Sequence, residues 1–329
     1  MAEIVTELNS RSFPMVVLLE MERRAREISA YSSTSIEGNP LPLTDVKRIL
    51  KNKPEYVRDS EREVLNYNKA LVELNESIKN KKISLNIDEL EKIQKMVTDG
   101  LISEYRWGHI RQESVFVNDP KTRKTIYWPP DQQDVTSLLK ELSEFLVKNT
   151  RSIDPLILAG IFHRQFVIIH PFIDGNGRTA RLATKVLLAN MGLDTFNLFS
   201  FENYYNQNVT RYFQEVGLMG NYYDLKNHID FTSWLEYFTD GIIDELLRVE
   251  KEIEKEAISP DTILRDYHQK IIHFIKEKGF ITDKDYSMFT QRAKPTRNLD
   301  FRKLIELGVI VKCGKGKATY YNLSLVKND

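Results

Sequence analysis

The stretch His170-Pro171-Phe172-Ile173-Asp174-Gly175-Asn176-Gly177-Arg178-Thr179-Ala180-Arg181 decides how the rest of the chain is read. A helical pattern fills Asp154 to Ile169, and Pro171 stops it because it has no N–H to give to the ladder. Gly175-Asn176-Gly177 lets the backbone turn sharply and come close to a ligand. A second helical pattern, Arg178 to Met191, starts at once. The free N–H groups of its first turn therefore point over the bend and make an anion site suited to phosphate. Arg178 and Arg181, three residues apart, are expected to share a helix face and grip one polyphosphate from two sides. Asp174 is a hard oxygen ligand placed where Mg2+ could bridge phosphates. His170 has an ordinary pKa near neutrality and is the natural general base. Each feature alone would fit a tight helix–helix turn with a capping Asn and two surface arginines; their convergence within one short segment favours a site.

Outward from this loop the chain is mostly helical. Leu18, Met21, Ala25 and Ile28 recur at helical spacing within Met15 to Ala30. A helix after Asn39-Pro40 has Thr44 or Asp45 as expected N-cap, and Ser60 to Ile78 and Asn86 to Leu101 are further amphipathic segments. The pattern changes at Gly108: Val115 to Val117 and Thr125 to Trp128 read as two strands of a long-tipped hairpin that ends at Pro129-Pro130. Helices resume over Val135 to Lys148, Arg211 to Leu218 and Phe231 to Ile253. After the charged stretch Glu250 to Glu256, Ser259-Pro260 reads as a domain boundary. Beyond it, Tyr267 to Lys278, Thr282 to Thr290 and Pro295 to Leu307 read as helices and Val309 to Tyr321 as a hairpin, the order of a winged helix-turn-helix. The expected division is 1–105, 106–258 and 259–329.

Composition narrows the function classes. The 329 residues carry 47 Lys+Arg against 47 Asp+Glu, so nucleic-acid binding would need a local patch. The single Cys313 excludes an intrachain disulfide and argues against a cysteine metal site. Apolar runs are too short for a membrane span and the start of the chain lacks a signal-peptide pattern, so a cytoplasmic protein is expected.

The segment 170–181 resembles the signature of the Fic family, His-Pro-Phe-x-(Asp/Glu)-Gly-Asn-Gly-Arg-x-x-Arg, at every fixed position. The resemblance implies a mainly α fold with a Fic-type helical core and a β-hairpin flap. It also implies a protein adenylyltransferase that moves AMP from ATP, with Mg2+, onto a Ser, Thr or Tyr hydroxyl of a target protein, itself included. In that scheme His170 deprotonates the hydroxyl and Asp174 holds Mg2+. Gly175, Asn176 and Gly177 cradle the phosphates, and Arg178 and Arg181 hold their far end. The hairpin would be the target-positioning flap, with Val117, Ile126 and Tyr127 flanking an added target strand. Without the resemblance, an ordinary surface hairpin packing Trp128 on the core is as good a reading, and His109 and Arg111 read as structural.

Ser33-Thr34-Ser35-Ile36-Glu37-Gly38 resembles the family's inhibitory motif, (Ser/Thr)-x-x-x-Glu-(Gly/Asn). The resemblance implies that Glu37 pairs with Arg181 and forces an unproductive nucleotide pose, with Ser33 and Gly38 shaping the turn. In some relatives the same Glu serves removal of AMP. Tyr205, Asn208 and Tyr212 are candidates near the adenine, although Tyr212-Phe213 stands where the family often has Tyr-Tyr. Phe172 reads as a core anchor and His163 as a structural histidine. In the C-terminal region Arg297, Arg302 and Lys303 are expected on the exposed side of a basic helix, and Lys312, Lys315 and Lys317 on the wing. DNA and a protein partner both remain open for that face, as does a homodimer. The rival functions are a DNA-binding regulator whose Fic region only senses nucleotide, and transfer of another phosphate-containing group.

Overall fold

The computed structural model describes residues 15–80, 83–119, 122–190, 198–257, 264–307 and 309–323. Its contacts divide the chain into two compact units. One is Ala25–Arg248; the other contains 249–323 and the start of the first helix, up to Arg24. The division falls inside a helix at Arg248, whereas Ser259-Pro260, the boundary read from sequence, lies outside the described residues.

Two helices form the centre of the first unit, α6 (Pro155–Ile169) and α7 (Asn176–Asn190). Earlier elements are α1 (Met15–Ile36), α2 (Leu43–Lys51), α3 (Asp59–Asn80), α4 (Ile87–Thr98) and α5 (Gln132–Asn149). Helix α2 is entered from Pro42 without a side-chain cap, so neither Thr44 nor Asp45 takes the expected N-cap place. Helix α6 is apolar nearly all round, with Leu156, Leu158, Ala159, Phe162, Phe166, Ile168 and Ile169 buried, as a central helix must be. Asp154 caps its start by accepting from Leu156 N at 2.8 Å, with Pro155 in its first turn. A side chain at Gly160 would meet Leu235 at 2.7 Å, and Trp234 Nε1 donates to Gly160 O at 2.8 Å. That close approach seats the helix Thr232–Ala257 against α6.

The hairpin is shorter than expected and belongs to a three-stranded sheet. Strand β1 (Val117–Asn118) pairs antiparallel with β2 (Thr125–Trp128), and β3 (Gly220–Asn221) pairs parallel with β2 on its other side. Nothing in the local sequence around Gly220 announced a strand, because a two-residue strand exists only through its partner. Tyr127 is buried with Ile168 and Tyr222, and its hydroxyl donates to Ile168 O at 2.9 Å, which ties the sheet to the end of α6. Trp128 is instead 40% exposed, which corrects the reading that packed it on the core.

The second unit contains helices Asp266–Lys278, Asp283–Met288 and Lys294–Glu306, then antiparallel strands Ile310–Cys313 and Tyr320–Leu323. Its core includes Ile271, Ile275, Tyr286, Phe301, Leu304 and Tyr321, with Phe301 stacked on Tyr321 at 4.1 Å. Thr282 and Asp285 form a capping box. Arg297 is not on an exposed basic face: its Nε and NH2 each lie 2.8 Å from Asp283 carboxylate oxygens. Arg302, Lys312 and Lys315 are exposed. Among the described residues no helix is long and apolar enough to cross a membrane.

Candidate active site

The loop between α6 and α7 turns because of its own residues. His170 is the C-cap of α6 in the left-handed conformation, φ 52°, ψ 59°, and Pro171 after it rules out another helical turn. Phe172 is fully buried and fixes the loop in the core. Asn176 Oδ1 accepts from Phe172 N at 2.9 Å and its Nδ2 donates to Phe172 O at 2.8 Å. The Asn176 side chain is thus spent on closing the loop, and only its backbone N–H is left for an anion. Gly175 sits at φ 80°, and a Cβ there would press on Thr98 at 2.8 Å, so both backbone and packing demand glycine. Helix α7 begins at Asn176, and the N–H groups of its first turn have no partners within the helix.

His170 is partly exposed. Desolvation by the surrounding protein pushes its pKa down to about 4, against a raising hydrogen bond to Val167. Nδ1 lies 3.3 Å from Val167 O; a carbonyl only accepts, so Nδ1 carries the proton and Nε2 is left with its lone pair. A neutral imidazole with a free Nε2 can take a proton at neutral pH.

The two arginines diverge. Arg178 turns toward α3 and α4: NH2 lies 3.0 Å from Asp174 Oδ2, NH1 lies 3.2 Å from Glu63 Oε1, and its side chain is 3% exposed. Arg181, fully buried, donates Nε to Ser33 Oγ at 2.8 Å and NH2 to Ser33 O at 2.8 Å and Glu37 Oε1 at 2.7 Å. Burial works against the Arg181 charge, but the Glu37 carboxylate holds its pKa above the ordinary value. The expectation that both guanidinium groups grip from one face therefore gives way to two separate ion-pair sites, Arg181 with Glu37 just past α1 and Arg178 with Asp174 and Glu63 of α3.

Glu37 is placed by a helix stop. Gly38 N donates to Ser35 O at 2.9 Å and Asn39 N to Thr34 O at 3.1 Å, a Schellman closure with Gly38 at φ 92°. Glu37 Oε1 then lies so near Gly177 that an added Cβ would be 2.1 Å from it. The carboxylate covers the helix start where an anion would lie. Asn39 Nδ2 extends the contact by donating to Glu63 Oε2 at 2.6 Å.

Other nominated residues fall elsewhere. Tyr205 is fully buried among Tyr212, Trp234 and Phe238, and its hydroxyl donates to Phe238 O at 3.2 Å. Tyr212 is 1% exposed and its hydroxyl lies 3.0 Å from His163 Nε2. Asn208 caps Val209–Val216 by accepting from Arg211 N. Tyr205 and Tyr212 are core groups here and the exposed Asn208 is a helix cap; aromatic pairs on helices pack on each other when a core is at hand. Val117 and Tyr127 face the core, and β3 pairs with β2 at Tyr127 and Trp128, past Ile126. Sequence reasoning missed Glu63 and also Gln94, whose Nε2 donates to Asp174 O at 3.1 Å while its Oε1 accepts from Gly108 N at 2.7 Å. Their only signal is spatial.

Among the described residues no three His, Cys, Asp or Glu gather as a metal site. The carboxylate placed to hold Mg2+ against substrate phosphates is Asp174, whose side chain is 47% exposed and lies 3.0 Å from Arg178 NH2.

Residues 84–188 match the model of the Fic/DOC family. The chain is 32% identical over 181 residues to protein adenylyltransferase Fic of Nematostella vectensis, covering 53% of this chain and 40% of that protein. It is 32% identical over 180 residues to protein adenylyltransferase fic-1 of Caenorhabditis elegans, covering 53% and 34%. The matches span less than half the length of these curated relatives. A crystal structure of a Fic family protein from Desulfovibrio desulfuricans G20 aligns with TM-score 0.57 at 22% identity, over 92% of this chain and 87% of that one, a likeness of fold.

Proposed function

We propose that this chain, which carries a Fic/DOC domain at residues 84–188, transfers AMP from ATP to a hydroxyl side chain of a protein and is held back by its own Glu37. The observation that carries the reading is a neutral, partly exposed His170 beside the N-terminus of α7, with Glu37 lying over Gly177 on Arg181. His170 Nε2 takes the proton of the incoming hydroxyl. The oxygen forms a bond to the α-phosphorus as the bond to the β-phosphate bridging oxygen breaks, and pyrophosphate leaves. Backbone N–H groups at Gly175 to Gly177 receive phosphate oxygens, and Arg181, once free of Glu37, pairs with the far phosphates. Mg2+ held by Asp174 would neutralise phosphate charge.

The brake is competition for one guanidinium. Removing Glu37 would leave a buried arginine without its counter-charge unless a phosphate takes that place, so Glu37→Gly favours the productive nucleotide pose. Glu37 is also the group that would orient water in the reverse reaction. The basic residues Arg302, Lys312 and Lys315 on a three-helix and hairpin unit support a winged-helix module that contacts DNA, testable by a gel shift that weakens with salt.

The test of the main reading uses Glu37→Gly and Glu37→Gly/His170→Ala with ATP and Mg2+, assayed on the protein itself and on a cell lysate. Label on the α-phosphate is expected to enter protein with the first variant only, and label on the γ-phosphate with neither. Transfer of γ-label, or equal α-labelling by both variants, would refute it. The brake itself fails if Glu37→Gly labels no more than the unmodified protein.

A further inference from the structure

We propose that Arg111 is a positioning residue for this reaction, one guanidinium that fixes the base His170 and both ends of the flap in register; it rests on the transfer reading above. Arg111 is 2% exposed. Its Nε donates to His170 O at 2.8 Å, NH1 to Glu113 O at 3.1 Å, and NH2 to Pro130 O at 2.5 Å and Ile169 O at 3.5 Å. Its backbone N donates to Pro171 O at 3.0 Å. All of these acceptors are carbonyls, and among the described residues no carboxylate pairs with Arg111. A buried cation with no carboxylate in contact is costly, and the carbonyls it gathers, with the more distant charge of Asp131, are its compensation.

The carbonyls come from the places the reaction must align. Glu113 precedes β1, Pro130 follows β2, and Ile169 and His170 end α6. His170 sits at φ 52°, a conformation that non-glycine residues hold only when their surroundings enforce it. The side chain and backbone N–H of Arg111 grip the two successive carbonyls of His170 and Pro171, and so supply that enforcement. The same fork reaches both feet of the hairpin, so a target strand laid on β1 is registered to the imidazole through one side chain. A lysine could not do this, because its donors leave from one point and not from a planar fork. Arg111 also acts on the ring electrically: its charge lowers the His170 pKa while Glu37 and Asp174 raise it.

The test compares Arg111→Met and Arg111→Lys in a Glu37→Gly background by kinetics and by nitrogen NMR of the His170 ring. For Arg111→Met, kcat is expected to fall on the order of 10²-fold, the cost of a base about 1 Å out of place. The KM for ATP should stay within about threefold because residues 175–181 keep their own bonds, and guanidinium ion in the buffer should restore part of the rate. The ring should change from one Nδ1–H tautomer to a mixture. Arg111→Lys should lie between; should Arg111→Met fail to fold, Arg111→Lys decides by the same readouts. The proposal is overturned if the kcat of Arg111→Lys matches the Glu37→Gly parent, or if activity falls only in step with the folded fraction while the tautomer is unchanged. If the parent shows no transfer, the functional reading fails, and the tautomer alone then decides the positioning role.

Discussion

Helix α6 holds two histidines two turns apart, and its interior and its end treat the same side chain in opposite ways. His163 is fully buried, with Nδ1 3.0 Å from Thr184 Oγ1 and Nε2 3.0 Å from the Tyr212 hydroxyl. Thr184 Oγ1 donates to Ala180 O at 2.7 Å, so it must accept from His163 Nδ1–H, and Tyr212 must donate to Nε2. Arg181 NH1 feeds the same chain by donating to Tyr212 at 3.4 Å. Both ring nitrogens are spent, and desolvation holds the pKa down to about 3. His170, at the helix end, has one nitrogen engaged and one free. A histidine becomes available for chemistry here when the helix stops beneath it, and becomes structural when neighbouring helices supply a partner for each nitrogen.

That contrast can be broken in four ways. The largest effect belongs to His170→Ala in the Glu37→Gly background: transfer should fall roughly 10²- to 10⁴-fold with melting little changed, read by α-phosphate labelling and calorimetry. His163→Ala should do the reverse. It opens a cavity beside Trp234, 5.1 Å away between ring centroids, and leaves the Tyr212 O–H without its acceptor, at a cost of about 3–4 kcal/mol in urea unfolding. Activity per folded molecule should stay within about fivefold.

Acid provides the third test. Both histidines have folded pKa values below the unfolded value of about 6.5, so below that pH the unfolded chain binds more protons than the folded one. Stability contributed by the neutral rings is complete above pH 6.5 and is lost as pH falls toward about 4 for His170 and about 3 for His163. The limiting slope for His163 is about 1.4 kcal/mol per pH unit, while His170, which solvent reaches, contributes less. Urea midpoints that do not fall between pH 6.5 and 5, or that fall equally in His163→Ala, would contradict the assignment. The smallest effect is expected for Tyr212→Phe, about 1 kcal/mol of stability from an orphaned His163 Nε2. Its KM for ATP should change less than about twofold; a large rise would restore Tyr212 as a nucleotide contact.

Much of the loop was legible because its constraints are local. Pro171 ending a helix, glycine at the positive φ of Gly175 and an immediate helix start follow from backbone sterics, and the Gly38 stop follows from the same rule. Phe172 as anchor and His163 as structural histidine were readable from an apolar helix pattern. What was not legible shares one cause. Tyr205, Tyr212 and Asn208 look the same in sequence whether they face a ligand or a neighbouring helix, and Trp128 and Tyr127 exchange roles with a half-turn of one strand.

From the order of residues alone came the helical class, the glycine bend, the histidine at a helix end and the carboxylate one turn after Ser33. The Glu37 partner of Arg181 was implied by the family resemblance, but only the folded chain decided the other partners: Asp174 and Glu63 for Arg178, and a set of carbonyls for Arg111. The reason is range. Backbone preferences act over a few residues and are written where they act, whereas the partner of a buried charge comes from wherever packing brings a complementary group, and here those groups lie as far as 144 positions away along the chain.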